Sequence, residues 1–141
     1  MSPWIAPSPF LIFPPRSKEA LQHDLTIDIT TTGRQSGEPR RIEIWFLAVD
    51  GQVYITGTPG PRHWLANLRA NPRFTFHLKE SAEADLPAIA TEVDDPAERR
   101  MVIASMAAEW YRGQAPIEQL VAEAPMVRIT FEQPPSPDRR A

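Results

Sequence analysis

Apolar residues recur at every second position in segment after segment, and this period confines the chain to an antiparallel β architecture. Leu25, Ile27 and Ile29 alternate, as do Ile42, Ile44, Phe46 and Ala48. Phe74, Phe76 and Leu78 alternate with Thr75 and His77, and Val127, Ile129 and Phe131 repeat the pattern near the end. Val53 and Ile55 follow Asp50-Gly51, a dipeptide suited to a two-residue hairpin turn. A further strand is expected from Ala88 to Val93. Helices fall between these runs. Pro61 opens one that ends at Asn71-Pro72. Asp95-Pro96, with Glu98 three residues after Asp95, starts another from about Pro96 to Arg112, with Gly113 as its stop and Pro116 opening a shorter one. Mostly antiparallel strands with a few helices predict a mainly β fold, a barrel rather than a doubly wound sheet.

At 141 residues and 42% hydrophobic content the chain suits one core, which we place over residues 25–133. The net charge of -3 argues against general affinity for nucleic acid. With no cysteine there is neither a disulfide framework nor a thiolate metal site, and His23, His63 and His77 lack the spacing of a metal pair, so no metal is expected. His77 reads as a strand residue facing water or a partner. The opening stretch MSPWIAPSPFLIFPP has no basic start and its apolar run is broken by proline, so it predicts neither a signal peptide nor a transmembrane segment. We expect residues 1–24 to form a proline-rich arm packed on a partner subunit, residues 134–141 to be disordered, and the protein to be cytoplasmic.

Two loops carry chemistry. In ITTTGRQSGEPRRIEIWF, from Ile29 to Phe46, a strand runs into Gly33, which tolerates positive φ, and Ser36-Gly37 marks a second tight turn. Arg34, Arg40 and Arg41 surround that turn with guanidinium forks suited to phosphate or carboxylate. A solvated hairpin tip has the same composition. On the strand that follows, from Arg41 to Val49, Ile42, Ile44, Phe46 and Ala48 share a core face, while Arg41, Glu43 and Trp45 share a wet one. That Trp suits either a wall for a flat ligand or a cover for a partner subunit. In ITGTPGPRHWLANLRANPRFTFHL, from Ile55 to Leu78, Gly57 and Gly60 lead into a helix N-terminus, whose first N–H groups lack partners and favour an anion or polar ring.

The stretch TTGRQSGEPRR, the strand ending at Trp45 and the block WLANLRANPRF together resemble the deazaflavin-dependent nitroreductases of the flavin-binding split β-barrel superfamily. The resemblance is good from Ile29 to Phe74 and architectural beyond. It implies a six-stranded antiparallel split β-barrel of the pyridoxamine-phosphate-oxidase-like kind, a homodimer, and a ligand groove near the subunit interface. It also implies that the loop of pattern Gly-Arg-x-Ser-Gly-x-x-Arg binds the phosphate and acidic tail of coenzyme F420. By position this implicates Arg34, Ser36, Gly37, Arg40 and Arg41 for the tail, with Gln35 beside them. Thr56, Gly57, Thr58, Gly60, Arg62, His63 and Trp64 are implicated for the ring. Glu43, Trp45 and Asn67 complete the candidate cofactor-binding set.

The chain departs from that family at three points. Gln35 stands where many relatives carry Lys, the loop from Gly57 to His63 is shorter, and the tyrosine-rich substrate pocket has only Trp110 and Tyr111 as nearest counterparts. The expected function is an oxidoreductase that uses reduced F420 as hydride donor to a quinone, nitro compound or activated enone, with Tyr54, His63 and Tyr111 as candidate proton donors. Two alternatives are an FMN-binding reductase of the same fold and a non-catalytic protein that holds a lipid or other small acid.

Overall fold

The computed structural model describes residues 15–132. The first fourteen residues of the expected arm and the expected disordered tail lie outside the described residues. Seven strands are seen: β1 (Thr26–Thr32), β2 (Pro39–Trp45), β3 (Leu47–Val49), β4 (Gln52–Thr56), β5 (Arg73–Leu78), β6 (Ala84–Glu92) and β7 (Met126–Phe131). Five helices accompany them: α1 (Pro15–His23), α2 (His63–Ala70), α3 (Pro96–Ala104), α4 (Glu109–Arg112) and α5 (Ile117–Glu123).

All strands join one antiparallel sheet in the order β2-β1-β5-β6-β7-β4-β3. Its two edges, β2 and β3, are consecutive in the chain, so the sheet must curl until they meet, which makes it a barrel. The single strand expected over residues 41–49 is therefore bent at Phe46, and its halves pair with β1 and β4 respectively. Phe46 is buried and its N–H donates to the Leu25 carbonyl at 3.0 Å. Six predicted strands and seven observed ones differ by this bend. At the β3–β4 hairpin, Asp50 and Gly51 both take positive φ, as the dipeptide required.

The sheet packs apolar residues on both faces. Inside the barrel, Ile27, Ile29, Val53, Ile55, Val127 and Ile129 surround Phe76, whose ring meets Phe46 and Phe131 edge-on at 5.3 Å and 5.1 Å. On the other face of β3, β4 and β7, Leu47, Val49, Tyr54 and Met126 form a second core with Val102, Ile103 and Leu120 from the helices. Ile42 departs from the expected core face and is 39% exposed. The outer half of β2 has only β1 beside it, so its inward face opens on a cavity rather than on the core.

Several local expectations shift. The stretch assigned to an arm contains α1, which buries Ala20 and Leu21 completely; Ser17, Ala20 and Leu21 share one helical face, a signal that the prolines masked. The strand expected from Ala88 begins at Ala84 and carries an exposed Pro87, whose carbonyl accepts the Glu132 N–H at 2.9 Å. The long helix expected from Pro96 to Arg112 breaks at Ser105, where Ser105 Oγ donates to the Val102 carbonyl and Arg112 Nη1 donates to the carbonyls of Ile103 and Ser105. Asp95 caps α3 by accepting the Glu98 N–H at 2.9 Å. The Glu98 side chain does not reach back; its carboxylate accepts Tyr54 OH at 2.8 Å and Arg128 Nη1 at 2.7 Å. Among the described residues no helix is long and apolar enough to cross a membrane.

Candidate functional site

The β1–β2 connection is a turn closed on itself. Gly33 N–H donates to the Glu38 carbonyl at 2.8 Å and Gly37 N–H to the Gly33 carbonyl at 2.9 Å. Gly37 adopts the left-handed conformation, φ 73°. Gly33 does not use the positive φ open to it; a Cβ there would stand 2.6 Å from Ser36 Oγ and displace that hydroxyl from its place in the turn. That hydroxyl oxygen accepts from the Glu38 N–H at 3.1 Å and from Arg40 Nη2 at 3.3 Å, so it orders the turn and anchors one guanidinium.

Helix α2 is stapled to this turn through Asn67, which is buried. Asn67 Oδ1 accepts both the backbone N–H and Nη1 of Arg34, at 3.1 Å and 2.9 Å, while Nδ2 donates to Thr31 Oγ1 at 3.2 Å. Arg34 Nη2 also approaches His63 Nδ1 at 3.3 Å. The helix begins at His63, with Arg62 as its N-cap residue, rather than at Pro61.

Between turn and helix lies a cavity of about 600 Å³. Gly33, Arg34, Gln35, Ser36 and Arg40 line it from the turn, His63, Trp64 and Asn67 from α2, and Thr31 and Ile42 from the sheet. No carboxylate is among these residues. Among the described residues, neither Arg34 nor Arg40 forms an ion pair. The cavity thus offers two guanidiniums and a hydroxyl beside the apolar surfaces of Trp64 and Ile42, a donor set matched to an anionic group carrying a flat or aliphatic body. Thr31 and Ile42 line the cavity from outside the residue set that the resemblance implicates. Strand parity was their one available signal, since Thr31 and Ile29 share a face.

Other candidates stand elsewhere. Arg41 points to the opposite sheet face, where Nε donates to Asp28 Oδ2 at 2.9 Å. Lys79 Nζ donates to Asp28 Oδ1 at 2.6 Å and pairs closely with Glu43. Lys79, and then Arg41, hold the Asp28 carboxyl below the usual range against the opposing effect of desolvation. Arg41 and Glu43 therefore belong to a charged network and do not converge with Arg34 and Arg40. Trp45 packs edge-on against Trp110 at 5.3 Å and Tyr111 at 6.5 Å; Trp110 is 52% exposed, whereas Tyr111 is buried. Burial pushes the Tyr111 phenol up, and the charge of Arg62 opposes this.

Thr56 Oγ1 donates to the Pro125 carbonyl at 2.6 Å, a bond that ties β4 to the segment before β7. Tyr54 is buried in the second core, and burial together with its bond to Glu98 raises its phenol well above the ordinary value. Gly37, Gly57, Thr58, Gly60 and Arg62 do not line the cavity. His77, expected to face water or a partner, is buried between Thr30 Oγ1 and Asp85 Oδ1, each at 2.7 Å.

A curled sheet with an arginine-lined cavity beside its first hairpin defines a cofactor-binding split β-barrel. Residues 17–119 match the family described as F420H(2)-dependent quinone reductase, and the chain belongs to that family. It is an F420-dependent oxidoreductase with coenzyme F420 as its cofactor. Solved structures share the fold. A protein from Clostridium acetobutylicum related to a general stress protein, in the pyridoxinephosphate oxidase family, aligns with TM-score 0.63 and 17% identity over 82% of this chain and 81% of that one. An F420-H2 dependent reductase aligns with TM-score 0.55 and 20% identity over 76% and 95%. A structure described as a domain-swapped dimer aligns with TM-score 0.57 and 18% identity over 82% and 87%. The cavity's donor set fits the phosphate and acidic tail that the resemblance assigned to this loop.

Proposed function

We propose that Arg34, Ser36 and Arg40 hold the anionic tail of F420 and that the chain directs hydride from the reduced coenzyme to a small planar acceptor, a quinone, nitro compound or activated enone. The single observation behind this is the cavity itself: two guanidiniums without carboxylate partners face a space with no acid in its lining. Bound F420 supplies the hydride chemistry; the protein's residues bind, orient and exclude water. Asn67 fixes Arg34 in place before any ligand arrives, so little rotamer entropy is lost on binding. His63, at the cavity wall, is the candidate proton donor we retain. Tyr54 is engaged with Glu98, and Tyr111 does not line the cavity.

Trp110 is the candidate platform for the acceptor, because it is exposed while T-shaped contacts with Trp45 and Tyr111 brace it. The test is stopped-flow absorbance of reduced F420 with a panel of acceptors. Oxidation faster than in buffer, with Trp110→Ala raising KM for the acceptor more than for the coenzyme, is expected. Tight coenzyme binding without faster oxidation by any acceptor would instead favour a carrier. We extend the proposal to a homodimer, supported by the dimeric description of one fold relative; sedimentation of the full chain tests it.

A further inference from the structure

Arg34 lies between two acceptors on α2. Its Nη1 donates to Asn67 Oδ1 at 2.9 Å, and its Nη2 donates to His63 Nδ1 at 3.3 Å. The second contact carries information that the first does not. A guanidinium has N–H donors and no acceptor, so the lone pair in this contact belongs to the imidazole. Nδ1 is therefore unprotonated there, and the neutral ring carries its N–H on Nε2.

Both nitrogens of an imidazolium are donors, so a charged His63 would lose this bond and set two cations side by side. The charges around the ring are all positive. Arg34 and Arg40 face the cavity from the turn, and Glu38, the only acid of that turn, is absent from the lining. The sheet contributes Thr31 and Ile42, which do not titrate, and α2 adds Trp64 and Asn67. Arg62 precedes His63 in the chain and turns its guanidinium to the carbonyls of Thr58, Gly60 and Pro61.

An anion seated on Arg34 and Arg40 changes both factors. It competes with Nδ1 for Arg34 Nη2, and its negative charge favours a cation beside it. We propose that His63 is a proton-switched third arm of the anion site, a neutral acceptor for Arg34 that becomes an imidazolium donor once an anion engages the two arginines. This rests on the reading of Arg34 and Arg40 as anion-binding residues. By linkage, an anion that strengthens the hold of the ring on a proton is itself bound more tightly when that proton is present, so affinity rises as pH falls. A ring that met the anion only as a neutral Nε2–H donor would give no such dependence.

The probe is inorganic sulfate, which stays fully ionised across the range around pH 6.5 where imidazole titrates. Calorimetry of the full chain in buffers of different ionisation enthalpy reads the protons taken up with sulfate, and 15N spectra of the ring report which nitrogen carries hydrogen. Wild type should take up protons and bind sulfate about fivefold more tightly at about pH 5.5 than at about pH 8. His63→Gln keeps an amide donor but does not titrate, so it should bind with the weaker affinity at both values and take up none. The ring signals of His77, whose nitrogens are held by Thr30 and Asp85, should not respond, nor should those of His23 at the end of α1. Sulfate binding without proton uptake overturns the proposal, as does uptake that persists in His63→Gln, or a wild type that binds no sulfate at either pH. Proton uptake at His63 in a protein that fails to bind F420 keeps the switch and rejects the coenzyme reading alone.

Discussion

Two short loops, 33–40 and 57–62, are each built from glycine, arginine and proline, yet they use arginine in opposite ways. In the first, Arg34 and Arg40 are each fixed by a neutral partner, Asn67 and Ser36, and present their charge to a cavity. In the second, Arg62 spends its donors on the carbonyls of its own loop. A neutral anchor restrains a guanidinium and leaves donors for a ligand, whereas three backbone carbonyls and a hydroxyl engage both Nη groups of Arg62. Composition alone does not separate a binding loop from a braced one. The acceptors within reach of each fork do.

The contrast predicts a ladder of effects. The largest should follow Arg34→Ala, which removes a cavity charge and strips buried Asn67 of a donor. We expect F420 affinity to fall by about 2–3 kcal/mol and stability by about 1–2 kcal/mol, read by fluorescence titration and urea denaturation. An affinity within twofold of wild type would take this loop out of the site. Arg40→Ala should cost about 1–2 kcal/mol of affinity with little change in stability, because its anchor is an exposed serine hydroxyl. If both variants lose stability and neither loses affinity, the first loop is braced like the second and the comparison collapses.

Arg41→Ala sharpens the same point by contrast. Its partner is Asp28 on the other sheet face, so coenzyme affinity should be unchanged and stability should drop by at most about 1 kcal/mol. A loss of affinity comparable to that of Arg40→Ala would show that the outer-face network reaches the ligand. The smallest effect is a pH dependence of that network. Asp28 and Glu80 both titrate below their ordinary values, Asp28 chiefly through Lys79 and Glu80 through the N–H groups of Thr26 and Leu25. Lowered folded values mean that their contribution is present above about pH 4 and is lost as pH falls through the folded values. Thermal unfolding between about pH 5 and 2 should therefore show a shallower acid-side slope in Arg41→Ala than in wild type.

Strands, hairpin and helix cap were legible because their causes are local. Alternation at Ile27 and Ile29, the positive-φ pair Asp50-Gly51 and the cap at Asp95 each depend on residues within a few positions of one another. Strand parity even placed Arg41 with Glu43 and Trp45 on the face away from Ile42 and Ile44, although the family loop pattern grouped it with Arg34 and Arg40. The lining of the candidate cavity was legible where motif and turn coincide, at Arg34, Ser36 and Arg40. It was not legible at Asn67 as the anchor of Arg34, or at Ile42 as a cavity wall, because both depend on how α2 settles against the edge of the sheet.

By itself the amino-acid order determined which segments become strands, where the chain must turn, and that two loops are rich in hydrogen-bond donors, since backbone preference and side-chain period act over a few residues. Tertiary structure decided what each charged or polar group finds to bond. Glu98 meets Tyr54 across 44 positions, Thr30 meets His77 across 47, and Arg34 meets Asn67 across 33. The physical reason is that a hydrogen bond is settled within about 3 Å, and which groups arrive at that distance depends on how the sheet curls and the helices dock upon it.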